Sequence, residues 1–181
     1  MKRLLFILVL LFIFIDVKAT HIMGGEITWE CIKDPADPNV GSYIFTMKVY
    51  RDCDGVTLST FAQTLDVWDH PSVSQISLDF IANNDISPDC NVTNSGNVAL
   101  DCVSNPVGAV EEYIYTSQPV SLPGIPPANG WHFTWGSCCR NGAITNLVIL
   151  NPANPAEGFT LRASMFPYLD ASGNPLPSDP C

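Results

Sequence analysis

Seven cysteines carry most of the reactive chemistry in this 181-residue chain: Cys31, Cys53, Cys90, Cys102, Cys138, Cys139 and Cys181. Each is a thiol, a metal ligand or half of a disulfide. Cys138 and Cys139 are adjacent, so on a strand their side chains point to opposite faces and go to different partners. A zinc site made of this pair and His132 lacks a second spaced pair of ligands. A nucleophilic cysteine needs a reduced thiolate in an electropositive setting. Disulfides are therefore the expectation. Cys90 with Cys102 closes a short loop, worth ~2–3 kcal/mol on the chain-entropy account. Cys31 and Cys53, at the ends of the first two strands, are the candidates for Cys138 and Cys139. A strained ring between Cys138 and Cys139 is the alternative. The odd residue, Cys181, is expected to be unpaired here and to belong to whatever follows.

The other chemical groups form weaker patterns. Asp52-Cys53-Asp54-Gly55 starts like a calcium loop, but Ser59 is a weak ligand and the closing glutamate is missing. A tight turn accounts for the same residues. Glu111 and Glu112 alternate sides of a strand, so they do not act jointly on one bond, and solvated edge charge is the expectation. The three histidines, His21, His70 and His132, have no serine in a Gly-x-Ser-x-Gly elbow beside them. Asn91-Val92-Thr93 fits the N-glycosylation pattern and matters only in a eukaryote. Trp68 falls out of phase with Phe61, Leu65 and Val67. Core burial is the commoner fate of a strand tryptophan; an outward platform for a glycan is the alternative. No catalytic residue, cofactor or metal is expected.

The first residues set the compartment. Met1-Lys2-Arg3 is basic, Leu4–Ile15 is apolar, and Val17-Lys18-Ala19 supplies small residues for signal peptidase, so residues 1–19 read as a signal peptide. The run ends at Asp16, well short of the about 20 residues that cross a bilayer. Export into an oxidising compartment suits the cysteine count. The chain has formal net charge −10, and cleavage also removes Lys2, Arg3 and Lys18 against Asp16 alone. Such acidity repels phosphate backbones and argues against nucleic-acid binding, so no nucleic acid is expected, and no membrane insertion after cleavage.

Elements that position these groups follow from alternation. Glu26–Ile32 points Ile27, Trp29 and Cys31 one way. Ser42–Cys53 does the same with Tyr43, Phe45, Met47, Val49 and Cys53, and Asp54-Gly55 after it is a hairpin signal. Phe61–Trp68, Gln75–Phe80 and Ala109–Thr116 are further strands, with Asp69-His70-Pro71 as a break. The stretch Gly130–Ile144 is central: Trp131, Phe133 and Trp135 share one face and His132, Thr134 and Gly136 the other. Ile144–Leu150 is apolar, and Gly158–Phe166 closes the set with Phe159, Leu161, Ala163 and Met165 inward. The expected fold is all-β, a disulfide-stabilised immunoglobulin-like β-sandwich of about seven to eight strands. It spans residues 20–166, with residues 167–181 as a Pro-rich linker to a missing downstream module.

Taken in order, THIMGGEITWEC, FTMKVYRDCDG, DISPDC, GAVEEYIYTS, PPANGWHFTWGSCCRN and GFTLRASM resemble the N-terminal region of large Bacteroidetes surface proteins. Those end in a gliding-motility-associated C-terminal domain of the type IX secretion system. The resemblance covers Thr20–Phe166 and implies a fragment of a multidomain secreted or cell-surface protein, exported first by the Sec pathway. It brings no catalytic residue. This chain shows no C-terminal sorting domain, so outer-membrane passage is not implied for it as it stands. The expected function is a non-enzymatic surface module, structural or adhesive. Its partners would be downstream modules of the same protein, a surface polysaccharide or another cell-surface protein. A carbohydrate-binding module, with or without calcium, is the alternative, and a secreted hydrolase domain the weaker one.

Overall fold

A computed structural model describes residues 22–88, 99–137 and 158–174. These hold seven antiparallel strands and no helix: β1 (Ile22–Cys31), β2 (Tyr43–Asp52), β3 (Gln63–Trp68), β4 (Gln75–Asp85), β5 (Val110–Ser117), β6 (Trp131–Ser137) and β7 (Phe159–Met165). Their order is β1-β2-β5-β4-β3-β6-β7. Split between β4 and β3, this gives four strands facing three, as in a seven-strand immunoglobulin-like sandwich. β4 is the corner. It lies beside β3 from Gln75 to Leu78 and beside β5 from Leu78 to Asp85, with a bulge between Phe80 and Ala82. A bulged strand bends and can serve both layers.

Alternation explains the core. Tyr43, Phe45, Met47 and Val49 of β2 are buried, as are Trp131, Phe133 and Trp135 of β6. The two layers meet where Phe45 packs on Phe133 with ring centroids 4.6 Å apart, and Trp29 lies 6.0 Å and 5.8 Å from the same two rings. Trp131–Ser137 is an interior strand, paired with both β3 and β7. The turn before it needs Gly130, which has φ 82°; Gly130 N–H donates to Pro127 C=O at 2.7 Å.

The open edges almost meet. A Cβ on Gly25 of β1 would stand 2.6 Å from Lys48 O and 2.7 Å from Leu161 Cδ1 of β7. Gly25→Val is therefore expected to lower stability by about 1–3 kcal/mol, as overpacking does. Gly24→Ala, whose Cβ meets only Tyr50 at 3.8 Å, should be close to neutral in the same denaturant titration.

Several expectations change here. β1 starts at Ile22, not Glu26, and β3 starts at Gln63, leaving Phe61 exposed. Asp54-Gly55 does turn the chain, with Gly55 N–H on Asp52 C=O at 3.0 Å. It is not a hairpin: β2 pairs with β1 and β5, and β3 lies in the other layer. The connector after β5 bridges back to the start of β2 through Val120 and Tyr43, and Leu122 enters the core. Part of the expected linker is folded too, as a turn in which Asp170 Oδ1 accepts the N–H of Ser172 and of Asn174. Those bonds, chiefly from Asn174, hold the Asp170 carboxyl below its usual range.

The predicted Cys90–Cys102 bridge is replaced by Cys53–Cys102, with Cα atoms 5.0 Å apart. The reason is register. β2 and β5 are paired through Asp52 and Val110, and Cys53 N–H donates to Ala109 C=O at 3.0 Å. The segment before β5 is thus carried onto the end of β2. Asp85 fixes it there, accepting Cys102 N–H on Oδ2 at 2.7 Å. With Cys102 so placed, Cys53 is not a partner for Cys138 or Cys139. Cys31 is itself disulfide-bonded. Cys90, Cys138, Cys139 and Cys181 lie outside the described residues, as do residues 1–21, Asn91-Val92-Thr93 and Ile144–Leu150.

Candidate functional site

Two polar constellations emerge, one buried and one facing solvent. The buried one is centred on Arg51, in phase with the apolar residues of β2 and only 5% exposed. Its Nε donates to Glu111 Oε2 at 2.7 Å and Nη2 pairs with the same oxygen at 2.5 Å. Nη1 donates to the carbonyls of Asp52 and Gly55, each at 3.0 Å. Asn83 Nδ2 donates to Glu111 Oε1, and the guanidinium lies 5.8 Å from the Tyr113 ring centroid. One side chain thus neutralises a buried carboxylate and closes the turn that holds Cys53.

Glu111 and Glu112 are accordingly not edge charges. β5 runs between β2 and β4, so both are enclosed, at 8% and 9% exposure. They do face opposite ways. Glu112 meets Lys48 Nζ at 3.1 Å, a bond that raises the lysine above its usual value. Tyr115 on β5 donates its hydroxyl to Ser59 C=O at 2.6 Å, and burial pushes its pKa up to about 12. All of these groups are already partnered. Their arrangement braces the sheet.

Asp52 and Asp54 form a turn, with Asp54 N–H on Asp52 Oδ1 at 3.0 Å. Among the described residues no three His, Cys, Asp or Glu side chains are grouped so as to hold a metal.

The solvent-facing constellation covers the outer face of β3, β6 and β7. Register aligns Trp68, His132 and Ser164 in one row and Asp66, Thr134 and Arg162 in the next. Trp68 is 56% exposed, which corrects the expectation of a core position. Strict alternation forces this: Leu65 and Val67 take the inward places. Its Nε1–H donates to Thr134 Oγ1 at 2.8 Å, so the indole is held in one orientation. A depression of about 400 Å³ lies on one side, lined by Trp68, His132, Thr134, Thr160 and Arg162. Another of about 320 Å³ lies on the other, with Asp66, Ser74 and Gln75. Gln75 Nε2 donates to Asp66 Oδ1 at 3.0 Å.

His132 links Ser164 Oγ, 2.8 Å from Nδ1, to Asp69 Oδ2, 3.6 Å from Nε2. The trio has the composition of a hydrolase triad. Its geometry differs: the Asp69 contact is beyond hydrogen-bond length, and that oxygen also receives Asn129 Nδ2 at 3.3 Å. Ser164 lies within the β6–β7 ladder opposite His132, whereas a nucleophile elbow stands at a strand-to-helix turn. The trio orients the imidazole at the rim of the Trp68 face.

Just beyond Asp69, itself at φ 67°, His70 packs on Trp131 with ring centroids 4.4 Å apart. Its Nδ1 accepts the N–H of Ser72 at 3.2 Å and of Val73 at 3.0 Å, while Nε2 is buried without a partner. Burial lowers its pKa. The unfolded chain then binds the proton more readily, so this contribution is complete above about 6.5 and is lost as pH falls from there toward the folded value. His70→Asn keeps an acceptor for the turn and removes the titrating ring. Its melting temperature should vary less than wild type between about pH 6.5 and 5.

The sequence pointed to Trp68 by phase, but not to Thr134, Thr160 and Arg162 as its neighbours. Strand order alone brings β7 and β3 to the two sides of β6. No protein-family model, curated protein or solved structure matches the chain.

Proposed function

We propose that the chain is a non-enzymatic module of an exported cell-surface protein, structural or adhesive in role, and that it engages its partner through the outer face of β3, β6 and β7. The observation that carries this is the contrast between two polar sets. The buried one is fully partnered, whereas the Trp68 face holds a large fixed aromatic toward solvent, beside Thr160 and Arg162, whose side chains make no bond among the described residues. The Cys53–Cys102 bridge favours an oxidising compartment. The apolar leader and the resemblance to gliding-motility-associated surface proteins support export, with further modules of the same protein beside this one.

A carbohydrate-binding module is the second reading, favoured by the outward placement of Trp68. A hydrolase is disfavoured, because Glu111 and Glu112 diverge and the Ser164–His132–Asp69 trio has the wrong geometry.

The test is to express the full chain with its own leader. It should be recovered outside the cytoplasm with Thr20 as its first residue, and Ser164 should not react with a fluorophosphonate probe. Cytoplasmic retention overturns the export reading. Labelling of Ser164, or turnover of a glycan or peptide, overturns the non-enzymatic one.

A further inference from the structure

The geometry points to an anionic sugar as the ligand of this face: a uronic-acid unit of an extracellular polysaccharide, stacked on Trp68 with its carboxylate on Arg162. This assignment rests on the reading of the chain as an exported adhesive module and names what that module would hold.

Stacking comes first. A pyranose presents a flat C–H face, and an exposed indole is the side chain best suited to cover it. Trp68 is already held by Thr134 Oγ1, so little side-chain freedom is lost on binding, and preorganisation of this kind favours affinity. Thr134 Oγ1 accepts that bond and keeps its own O–H to donate, and Thr160 adds a second hydroxyl to the same depression.

Charge then selects the class of sugar. Arg162 is exposed on β7 and lines the depression with Trp68. It makes no ion pair among the described residues, whereas Lys48 and Arg51 each have a carboxylate. Of the two arginines among the described residues, Arg162 is the one without a carboxylate partner. A guanidinium beside a stacking face matches a sugar carboxylate, which it can bind through two parallel hydrogen bonds. Asp66, the acidic residue of the same row, lines the depression on the far side of Trp68 and is engaged by Gln75, and Asp69 beside His132 is engaged by Asn129. A run of sugars crossing Trp68 would therefore place its carboxylate on the Arg162 side and hydroxyls on the Asp66 side.

The experiment uses the exported full chain and follows the Trp68 indole N–H resonance, with calorimetry in parallel. The probes are oligomers of galacturonate, glucuronate and mannuronate, each against its neutral hexose counterpart. At least one oligouronate should shift the Trp68 signal and bind at least about tenfold more tightly than its neutral counterpart. That preference should shrink as salt rises. Trp68→Ala should weaken binding about tenfold or more, with Trp68→Phe losing less. Arg162→Gln should bring the oligouronate down to the affinity of the neutral sugar. Retention of the Cys53–Cys102 bridge and of the melting temperature shows that each variant is folded. Equal binding of acidic and neutral oligomers, or no effect of Arg162→Gln, overturns the anionic assignment. Failure of every oligouronate to bind a chain that is still exported also overturns it and leaves the surface-module reading standing; a chain that is not exported overturns that reading instead.

Discussion

Replacing Arg51 by Met is expected to destabilise the domain by about 3–5 kcal/mol, the cost of leaving a buried carboxylate without its counter-charge. Glu111 would keep only the bond from Asn83, the Gly55 carbonyl would lose the guanidinium, and the Asp52 carbonyl would keep only the Gly55 N–H. Glu111→Leu should cost a comparable amount, because it strands the guanidinium instead. Arg51→Met combined with Glu111→Leu should lose less than the two single changes added together, since neither charge is then unpaired. It should not return to wild type, because the turn carbonyls remain without the guanidinium. Denaturant midpoints at unchanged m-value measure all three. A loss below about 1 kcal/mol for Arg51→Met would mean that the pair is solvated as a surface bridge is, which contradicts its burial.

The second large effect belongs to the bridge. Cys53 and Cys102 are 49 residues apart in sequence, and closing a loop of that size is worth about 4 kcal/mol on the chain-entropy account. Replacing both by Ser should lower stability by about that amount, a large share of the 5–15 kcal/mol typical of a domain. Arg51 Nη1 donates to the backbone on both sides of Cys53, so the Arg51 and cysteine changes share a turn and should not add. Urea titration of the single and combined variants gives the coupling. A bridge loss below about 1 kcal/mol would show that β2–β5 pairing alone fixes the segment around Cys102.

The sequence showed faces more readily than neighbours. Period-2 alternation places Phe45, Met47, Val49, Phe133 and Trp135 inside, because the pleat leaves no other choice; Trp68 is out of that phase, and there the general tendency of tryptophan to be buried misleads. Arg51 sits in the same inward phase as Met47 and Val49. A charge in a core register means little until its counter-charge is known, and Glu111 lies 60 residues away. Strand order is the missing quantity. Nothing in Val110–Ser117 says that it lies between β2 and β4, so Glu111 and Glu112 looked like edge residues. Nothing around Cys102 says that β5 carries it to the end of β2. The Trp68 face has the same limitation: its tryptophan was visible from one strand's phase, but its arginine comes from a strand that pairs on the far side of β6.

Both braces serve the surface they leave undisturbed. Arg51, Glu111 and the Cys53–Cys102 bridge hold the β2–β5 end, while the face formed by β3, β6 and β7 presents Trp68. The most direct test compares adhesion of beads coated with the wild-type chain and with Trp68→Ala to a polysaccharide that carries uronic acids. The account predicts that wild-type beads adhere and Trp68→Ala beads do not, with equal melting temperatures and an intact Cys53–Cys102 bridge in both. Equal adhesion of the two, or unfolding of Trp68→Ala, would contradict it.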